Sequence, residues 1–249
     1  MNAIGIGLIV LVCVFGGSIL GMVLHTVLPE HHLSADSKDV IKLGMGLTAT
    51  MSALVLALLT NSAKGSFDTQ RNELTQMSAN IILLDRVLAH YGPETKDARD
   101  LLKGTVANMI NRMWPDEGSG RPQLQPVGAE AFYDKIQALS PQNEVQRELQ
   151  AQAVKMSVDI GQARWLLFEQ GGRSIPMPFL VLLIFWVTVI FLSFGLFAPR
   201  NATVIVTLFL CALSVSGAIF LIMELDRPFG GLVQISSAPL RSAISQIDK

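Results

Sequence analysis

Long apolar segments alternate with polar stretches along this chain. Four segments reach the roughly 20 residues that a helix needs to cross a bilayer, and they cover residues 3–28, 40–63, 177–197 and 202–223. A chain surrounded by lipid must satisfy its backbone hydrogen bonds internally, so each segment is predicted to be an α-helix. The first segment lacks the basic start of a secretory signal peptide and is expected to be retained. The pattern therefore predicts an all-α polytopic membrane protein with four transmembrane helices.

The region between the second and third segments has the periodicity of amphipathic helices. One apolar stripe recurs at steps of three and four residues, and it consists of Leu74, Met77, Ile81, Leu84, Leu88 and Tyr91. Gly92-Pro93 should end that helix, and further stripes predict helices over residues 102–113 and 129–139. A longer helix is predicted from Ser140-Pro141 to Gly171-Gly172. No strand pattern stands out, so the region is predicted to be helical, with a loop at residues 115–126, where three prolines and two glycines occur.

These elements divide the chain into four regions. Residues 1–64 and 177–224 are predicted transmembrane hairpins, residues 65–176 a cytosolic helical region, and residues 225–249 a cytosolic tail with a short amphipathic helix. Four spans put both termini and the central region on one side of the membrane. Of the 19 Lys and Arg residues, only Lys38, Lys42 and Arg200 fall on the other side. The positive-inside rule therefore predicts cytoplasmic termini.

The composition agrees with a membrane protein. Half of the residues are hydrophobic (50%), only 16% are charged, and the mean hydropathy is +0.44. A formal net charge of -1 provides no basic surface for nucleic acid, so no nucleic-acid partner is expected. Cys13 and Cys211 both fall within predicted spans, without the spacing of a disulfide framework or a zinc site.

No arrangement of residues indicates catalysis. Neither HExxH, nor a phosphate-binding loop, nor GxSxG occurs, so we expect no enzyme activity and no cofactor. Histidines and carboxylates cluster around the first loop, namely His25, Glu30, His31, His32, Asp36 and Asp39. These side chains could ligate a divalent metal, but adjacent histidines have poor geometry for one site. A solvated loop is therefore favoured, and no metal is predicted.

The second apolar segment, VIKLGMGLTATMSALVLALLTNSA, is the candidate pore helix. At 3.6 residues per turn, one side of it combines glycine, hydroxyls and two large apolar residues. We call this side the hydroxyl face, and it comprises Gly44, Thr48, Ser52, Val55, Leu59 and Ser62. In an oligomeric channel, Val55 and Leu59 would form an apolar gate that closes by dewetting. Lys42 and Lys64, at the two ends, would attract ions.

Helix packing is the alternative explanation for the same segment. Small residues in membrane helices often mark helix–helix contacts, hydroxyls often bond to their own backbone, and Lys42 can extend to the membrane interface. Two other patterns favour packing more clearly, namely Gly17 with Gly21 in the first span and Ala212 with Ser216 in the fourth. Each pair could serve a contact within the chain or a contact between subunits.

Three stretches of the chain are distinctive, namely DRVLAHYGPET at residues 85–95, GLFAPRNAT at residues 195–203 and ELDRPF at residues 224–229. Together they resemble a bacterial membrane-protein family described as bestrophin-like. Bestrophins are pentameric anion channels in which the second span lines the pore and a long cytosolic helical region separates spans two and three. The resemblance therefore implies a pentamer in the bacterial inner membrane, with residues 40–63 around the pore.

The chain also departs from bestrophins in two respects. Val55 and Leu59 stand where a phenylalanine-rich neck is expected. After the fourth span, Glu224 and Asp226 are too few for an acidic calcium-binding cluster.

Two functions are consistent with these observations. The first is a homo-oligomeric, bestrophin-like ion channel that conducts anions, with further copies of the chain, membrane lipid and inorganic ions as its partners. The alternative is a non-conducting membrane scaffold or signalling subunit that acts through its cytosolic helices. The apolar seams at residues 74–91 and 145–167 motivate this alternative. A transporter is less favoured, because the four spans contain no pair of broken helices.

Overall fold

Helices make up the regular structure of the chain. The computed structural model describes residues 2–29, 35–115, 129–170 and 175–247, and within them it contains eight α-helices, one 3-10 turn and no strand. The helices are α1 (Ala3–Val27), α2 (Ala35–Tyr91), α3 (Lys96–Met113), α4 (Ala129–Gln137), α5 (Glu144–Gln170), α6 (Met177–Phe197), α7 (Ala202–Leu225) and α8 (Ala238–Gln246). The 3-10 turn, Pro93–Thr95, joins α2 to α3.

Four of these helices are long and apolar enough to cross a membrane, as the sequence predicts. They are α1, α2, α6 and α7. The observed limits of α1, α6 and α7 agree closely with the apolar segments, because hydropathy and length together define a span. The prediction of an all-α protein with four transmembrane helices is therefore confirmed.

The second span belongs to a much longer helix than its apolar pattern indicates. The sequence predicts separate helices over residues 40–63 and 74–91, whereas α2 is a single helix of 57 residues. At 1.5 Å per residue, its length is about 85 Å. The intervening residues 64–73 are polar but contain no proline. Once a helix has formed, each further residue extends it at little cost, so a change of polarity alone does not end it.

By contacts between Cα atoms, the chain divides into two compact units. Unit 1 comprises Met1–Gly65 and Ser174–Asp226, and unit 2 comprises Ser66–Arg173 and Arg227–Lys249. Unit 1 therefore contains α1, the first part of α2, α6 and α7. Unit 2 contains the remainder of α2 together with α3, α4, α5 and α8.

In unit 1, α1 packs against α6 and α7 through small residues. A Cβ atom at Gly21 would overlap the carbonyl oxygen of Leu192, and one at Gly195 would overlap the carbonyl oxygen of Ser18. The backbones of α1 and α6 therefore touch directly, as small residues in membrane helices allow.

A polar contact joins α1 to α7. The Oγ atom of Ser216 donates a hydrogen bond of 2.6 Å to the carbonyl oxygen of Gly7, and Ala212 is fully buried one turn earlier. The small-residue patterns of spans one and four thus serve contacts within the chain.

Unit 2 is held together by one apolar cluster. The six predicted stripe residues of α2 are all buried in its core, from Leu74 to Tyr91. The corresponding stripe of α3 includes Leu102 and Val106, and Leu240 of α8 is buried in the same cluster. At its edge, Trp114 donates a hydrogen bond of 2.8 Å to the carbonyl oxygen of Ile235. The predicted amphipathic tail helix is therefore α8, and it packs on the central helices.

Two details of α5 differ from the sequence-based expectation. The helix begins at Glu144 and not at Ser140-Pro141. Asn143 caps it, because its side-chain oxygen accepts a hydrogen bond of 2.8 Å from the backbone N–H of Gln146. Val145 is the first residue of the predicted apolar seam at residues 145–167, but its side chain is exposed. The predicted stop at Gly171-Gly172 lies outside the described residues.

Candidate pore helix

The membrane-spanning part of α2 is the least covered of the four spans. Within an apolar stretch of 18 residues, only 11% of this helix is buried. The corresponding share is 39% for α1, 44% for α6 and 22% for α7. Its apolar stretch is less hydropathic than those of the other three spans, and neighbours within unit 1 cover less of it. Most of its surface must therefore be covered by something other than the rest of unit 1.

The hydroxyl face does not have a uniform environment. Leu59 is 3% exposed and Ser52 is 6% exposed, and Leu59 belongs to the apolar cluster of unit 1. Val55 is half-buried against that cluster, and Thr48 is also half-buried, whereas Gly44 and Ser62 are exposed. The middle of the predicted lining face is therefore covered by residues of the same chain.

The hydroxyl groups of this helix bond to their own backbone. Thr48 donates to the carbonyl oxygen of Gly44 at 2.9 Å, and Ser52 donates to that of Thr48 at 2.8 Å. Thr60 makes the same contact with Leu56 at 2.8 Å. Such bonds satisfy the hydroxyl hydrogen inside an apolar medium. The oxygen keeps a lone pair, so these groups can still accept a hydrogen bond from water.

The two lysines lie on a different side of α2 from the predicted gate. At 3.6 residues per turn, Lys42 and Lys64 are about 40° apart around the helix, whereas Val55 and Leu59 are about 100–140° from Lys42. Both lysines are exposed, and Lys42 forms an exposed ion pair of 3.5 Å with Asp39. The structure therefore does not bring the predicted gate and the predicted ion-attracting residues onto one face.

A second face of α2, which we did not predict from the sequence, joins the two lysines. Its members are mainly small and are all exposed in the single chain. This lysine face comprises Lys42, Gly46, Ala49, Ala53, Ala57, Thr60 and Lys64. The steps of four and three residues that connect the two lysines were available as a signal in the sequence. Hydropathy alone could not rank this face above the hydroxyl face, because it does not show which side unit 1 covers.

A third side of α2 is purely apolar. Leu43, Leu47, Leu54 and Leu58 are all more than half exposed. Large exposed aliphatic residues on a membrane helix suit contact with lipid tails or with apolar partners. The exposed surface of α2 thus separates into one leucine-rich strip and one strip of small residues flanked by lysines.

The other charged residues of note form a structural site in unit 2. Asp85, with a side chain that is 1% exposed, accepts two hydrogen bonds from Arg99, at 2.7 Å from Nε and 3.0 Å from Nη2. This bidentate pair joins α2 to α3. Buried charges need such pairing, so the arrangement explains Asp85 without any catalytic role.

The turn that follows α2 is also built from specific contacts. Gly92 has a φ of 141°, which only glycine adopts readily. The hydroxyl of Thr95 lies 2.7 Å from the carbonyl oxygen of Leu88, and Gln146 donates to the carbonyl oxygen of Tyr91 at 3.0 Å. Burial, and then the nearby Glu94 carboxylate, raise the pKa of Tyr91 above its ordinary value. Tyr91 is therefore neutral at physiological pH.

The histidine-containing first loop offers no metal site that can be described. Of its six candidate ligands, Glu30, His31 and His32 lie outside the described residues, as does the side chain of Asp36. Among the residues that are described, no group of three or more His, Cys, Asp or Glu side chains is placed to hold a metal ion.

The family of the chain is given by comparison with known protein families. A family model described as Bestrophin-like domain matches residues 12–240, which include most of α1 and all of α2 to α7. The chain belongs to the bestrophin-like family. Searches among curated proteins and among solved structures found no significant match.

Membership of this family defines the broad functional class of the chain. The family is one of ion channels rather than enzymes, and its members generally form oligomers. Together with four helices of membrane-spanning length, this makes the chain a membrane protein of the ion-channel class. The sequence-based resemblance to this family is confirmed.

Proposed function

We propose that the bestrophin-like chain forms a homo-oligomeric anion channel in the bacterial inner membrane, with the membrane-spanning part of α2 around the pore. The observation that supports this most directly is the exposure of that helix, because only 11% of its 18-residue apolar stretch is buried. Several copies arranged around an axis would cover its leucine-rich strip and enclose the remaining face. A pentamer, with both termini in the cytoplasm, is the arrangement that the family resemblance suggests.

Anion selectivity is proposed from the charges of α2. Lys42 and Lys64 are exposed near the two ends of the apolar segment, and no acidic residue lies between them in the sequence. In an oligomer, each lysine would form a ring of positive charge, and such rings attract anions. The predicted gate, Val55 and Leu59, is part of this proposal. Since Leu59 is covered by unit 1, it would face the pore only if α2 turned away from that cluster.

Reconstitution of the purified oligomer into liposomes tests the proposal. We expect chloride flux, and we expect replacement of Lys42 and Lys64 by glutamine to lower the permeability ratio of chloride to potassium. Lys96→Gln is the matched control, because Lys96 is exposed on α3 in unit 2. An assembled oligomer that conducts no ion would refute the channel. An unchanged permeability ratio in the double variant would refute the lysine rings.

A non-conducting scaffold is the second candidate. Leu83 and Val145 are exposed apolar residues on unit 2, at a shallow groove between α2 and α5. Exposed apolar patches often mark protein–protein contacts. If this function is the correct one, Leu83→Glu should release a stoichiometric partner from the purified complex, and the liposomes should show no flux.

A further inference from the structure

Unit 2 exposes large apolar residues in the loop that follows the last helix of membrane-spanning length. Leu232 is 78% exposed and Val233 is 38% exposed. We call residues 230–233 the loop tip, and this tip consists of two glycines, a leucine and a valine, without any charge. Exposed apolar residues that lie together commonly mark a contact with a protein or a membrane. The loop tip is therefore a candidate contact site.

The base of this loop is fixed to the core of unit 2. The backbone N–H of Ile235 donates a hydrogen bond of 2.8 Å to the carbonyl oxygen of Pro228, which closes the loop. Phe229 and Ile235, on the two sides of the tip, are both buried in the apolar cluster of unit 2. Leu232 and Val233 lie between these buried residues but do not belong to the core. The fold thus directs their side chains away from unit 2.

The last turns of α5 carry a second exposed apolar site. Trp165 and Leu166 are each about half exposed, whereas the neighbouring Leu167 is buried in the core of unit 2. The ring of Trp165 contacts that of Phe168 edge to face, with 5.8 Å between the ring centroids. This contact orients the indole ring. Tryptophan is enriched at the interface between membrane and water, because its ring is apolar and its N–H group is polar.

Short connections attach both sites to helices of membrane-spanning length. The helix α7 ends at Leu225, and Pro228 follows three residues later, so the chain allows at most about 11 Å between them. The helix α5 ends at Gln170 and α6 begins at Met177, a separation that the chain limits to about 25 Å. A bilayer crossed by α6 and α7 is therefore within reach of both sites.

Two other exposed apolar residues of unit 2 lack such a connection. Leu83 lies about 30 Å along α2 from Ala63, at 1.5 Å per residue. Val145 lies at the opposite end of α5 from Trp165. Proximity to a span in the sequence therefore distinguishes the loop tip and the end of α5 from the remaining exposed apolar surface. This difference favours lipid, rather than a protein, as the partner of the two sites.

We propose that the loop tip and the Trp165–Leu166 surface bind the interface of the bilayer that the spans cross. Their apolar side chains would enter the boundary between head groups and acyl chains, as the apolar faces of interfacial segments do. Gln162 and Glu169 are exposed on the same side of α5, so this contact stays at the level of the head groups. Lipid composition would then act on the central helical region as well as on the spans.

The proposal is tested on the purified full-length protein in nanodiscs of phosphatidylethanolamine and phosphatidylglycerol. Cys13 and Cys211 are replaced by alanine, and one cysteine with a bimane fluorophore is introduced as Leu232→Cys, Leu166→Cys or, as the control, Leu83→Cys. All three leucines are more than half exposed, so the label should leave the fold intact. Phospholipid brominated near the ester end of its acyl chains quenches from the lipid, and iodide quenches from the water. An unchanged elution volume in size-exclusion chromatography checks each variant.

We expect brominated lipid to quench the labels at Leu232 and Leu166, and iodide to leave most of their fluorescence. The label at Leu83 should show the reverse. Quenching by iodide without quenching by lipid, at Leu232 or at Leu166, would overturn the proposal. Protection of either label from both quenchers would overturn it as well, because a protein would then cover the site. Equal lipid quenching at Leu83 would show that the two sites are not selective, with the same consequence.

A charge in the loop tip separates insertion from mere proximity. In the labelled Leu232→Cys protein, Val233→Glu should cause a loss of lipid quenching, because a carboxylate resists transfer out of water. Ser236→Glu places the same charge at an exposed position of the loop outside the tip and should leave the quenching unchanged. Equal lipid quenching in these two variants would refute insertion of the tip. None of these results depends on ion flux.

Discussion

At the residue scale, the buried ion pair of Asp85 and Arg99 should be the most sensitive polar contact of unit 2. Removing one partner leaves an uncompensated buried charge, which typically costs about 3–5 kcal/mol. We therefore expect Arg99→Met to lower the free energy of unfolding by about this amount, as measured by denaturant titration. Glu144→Gln is the control, because its pair with Arg147 is exposed on both sides and should contribute less than about 1 kcal/mol.

The double variant Asp85→Leu with Arg99→Met separates packing from charge. A well-packed apolar replacement of a buried pair is often neutral. Recovery of most of the lost stability would show that the unpaired charge caused the loss. If Arg99→Met alone is neutral, the pair has no structural role in the turn between α2 and α3.

Two neighbouring leucines of α2 provide a second prediction at this scale. Leu59 is 3% exposed and Leu58 is 58% exposed. Leu59→Ala should leave a cavity and lower the thermal unfolding midpoint in detergent, at a cost on the order of 2 kcal/mol. Leu58→Ala creates no cavity and should change the midpoint much less. A larger loss for Leu58 than for Leu59 would contradict the observed orientation of α2 in unit 1.

At the scale of elements, the contact between α1 and α6 depends on glycine. Gly21→Ala should force the two helices apart, because the new Cβ would overlap the carbonyl oxygen of Leu192. We expect a clearly lower unfolding midpoint and partial loss of the purified oligomer. Gly16→Ala, in the same helix, meets no atom within 4 Å and should be neutral or slightly stabilising. Equal midpoints for the two variants would argue against direct backbone contact.

The helices were predictable where an apolar segment has the length of a span or where apolar residues repeat with the helical period. The limits of α1, α6 and α7 follow from apolar length, and the stripe from Leu74 to Tyr91 follows from its 3.6-residue period. The continuity of α2 was not predictable in this way, because residues 64–73 change polarity without interrupting the backbone. The start of α5 was not predictable either, because Ser140-Pro141 and Asn143 are both acceptable caps by sequence, and the structure shows the capping hydrogen bond at Asn143.

The helix that forms the candidate site was predictable from the sequence, but the face of that helix that is exposed was not. The sequence identifies residues 40–63 as unusual, and the structure shows the same helix to be the least covered span. Which side is covered depends on α1, α6 and α7, and no periodicity within α2 contains that information. Ser52 and Leu59 were therefore grouped with exposed positions such as Gly44.

At the scale of the whole molecule, the face that lines the pore can be determined by thiol labelling. Cys13 and Cys211 are exposed and must first be replaced by alanine. If the lysine face surrounds the pore, Ala57→Cys should react with a membrane-impermeant methanethiosulfonate reagent in liposomes, and the reaction should reduce chloride flux. Leu59→Cys should react slowly, because it is buried in unit 1. The reverse result would assign the pore to the hydroxyl face, with Leu59 in it.

The exposure of α2 also determines how much sequence change the chain tolerates there. Ala53 and Ala57 are exposed within one chain, so folding of that chain alone should accept larger apolar residues at both positions. Any selection against such residues in a saturation-mutagenesis experiment must then come from outside the chain. It would come from neighbouring copies or from the path they enclose. The substitutions that are tolerated along this helix would therefore show which of its positions contact other molecules in the cell.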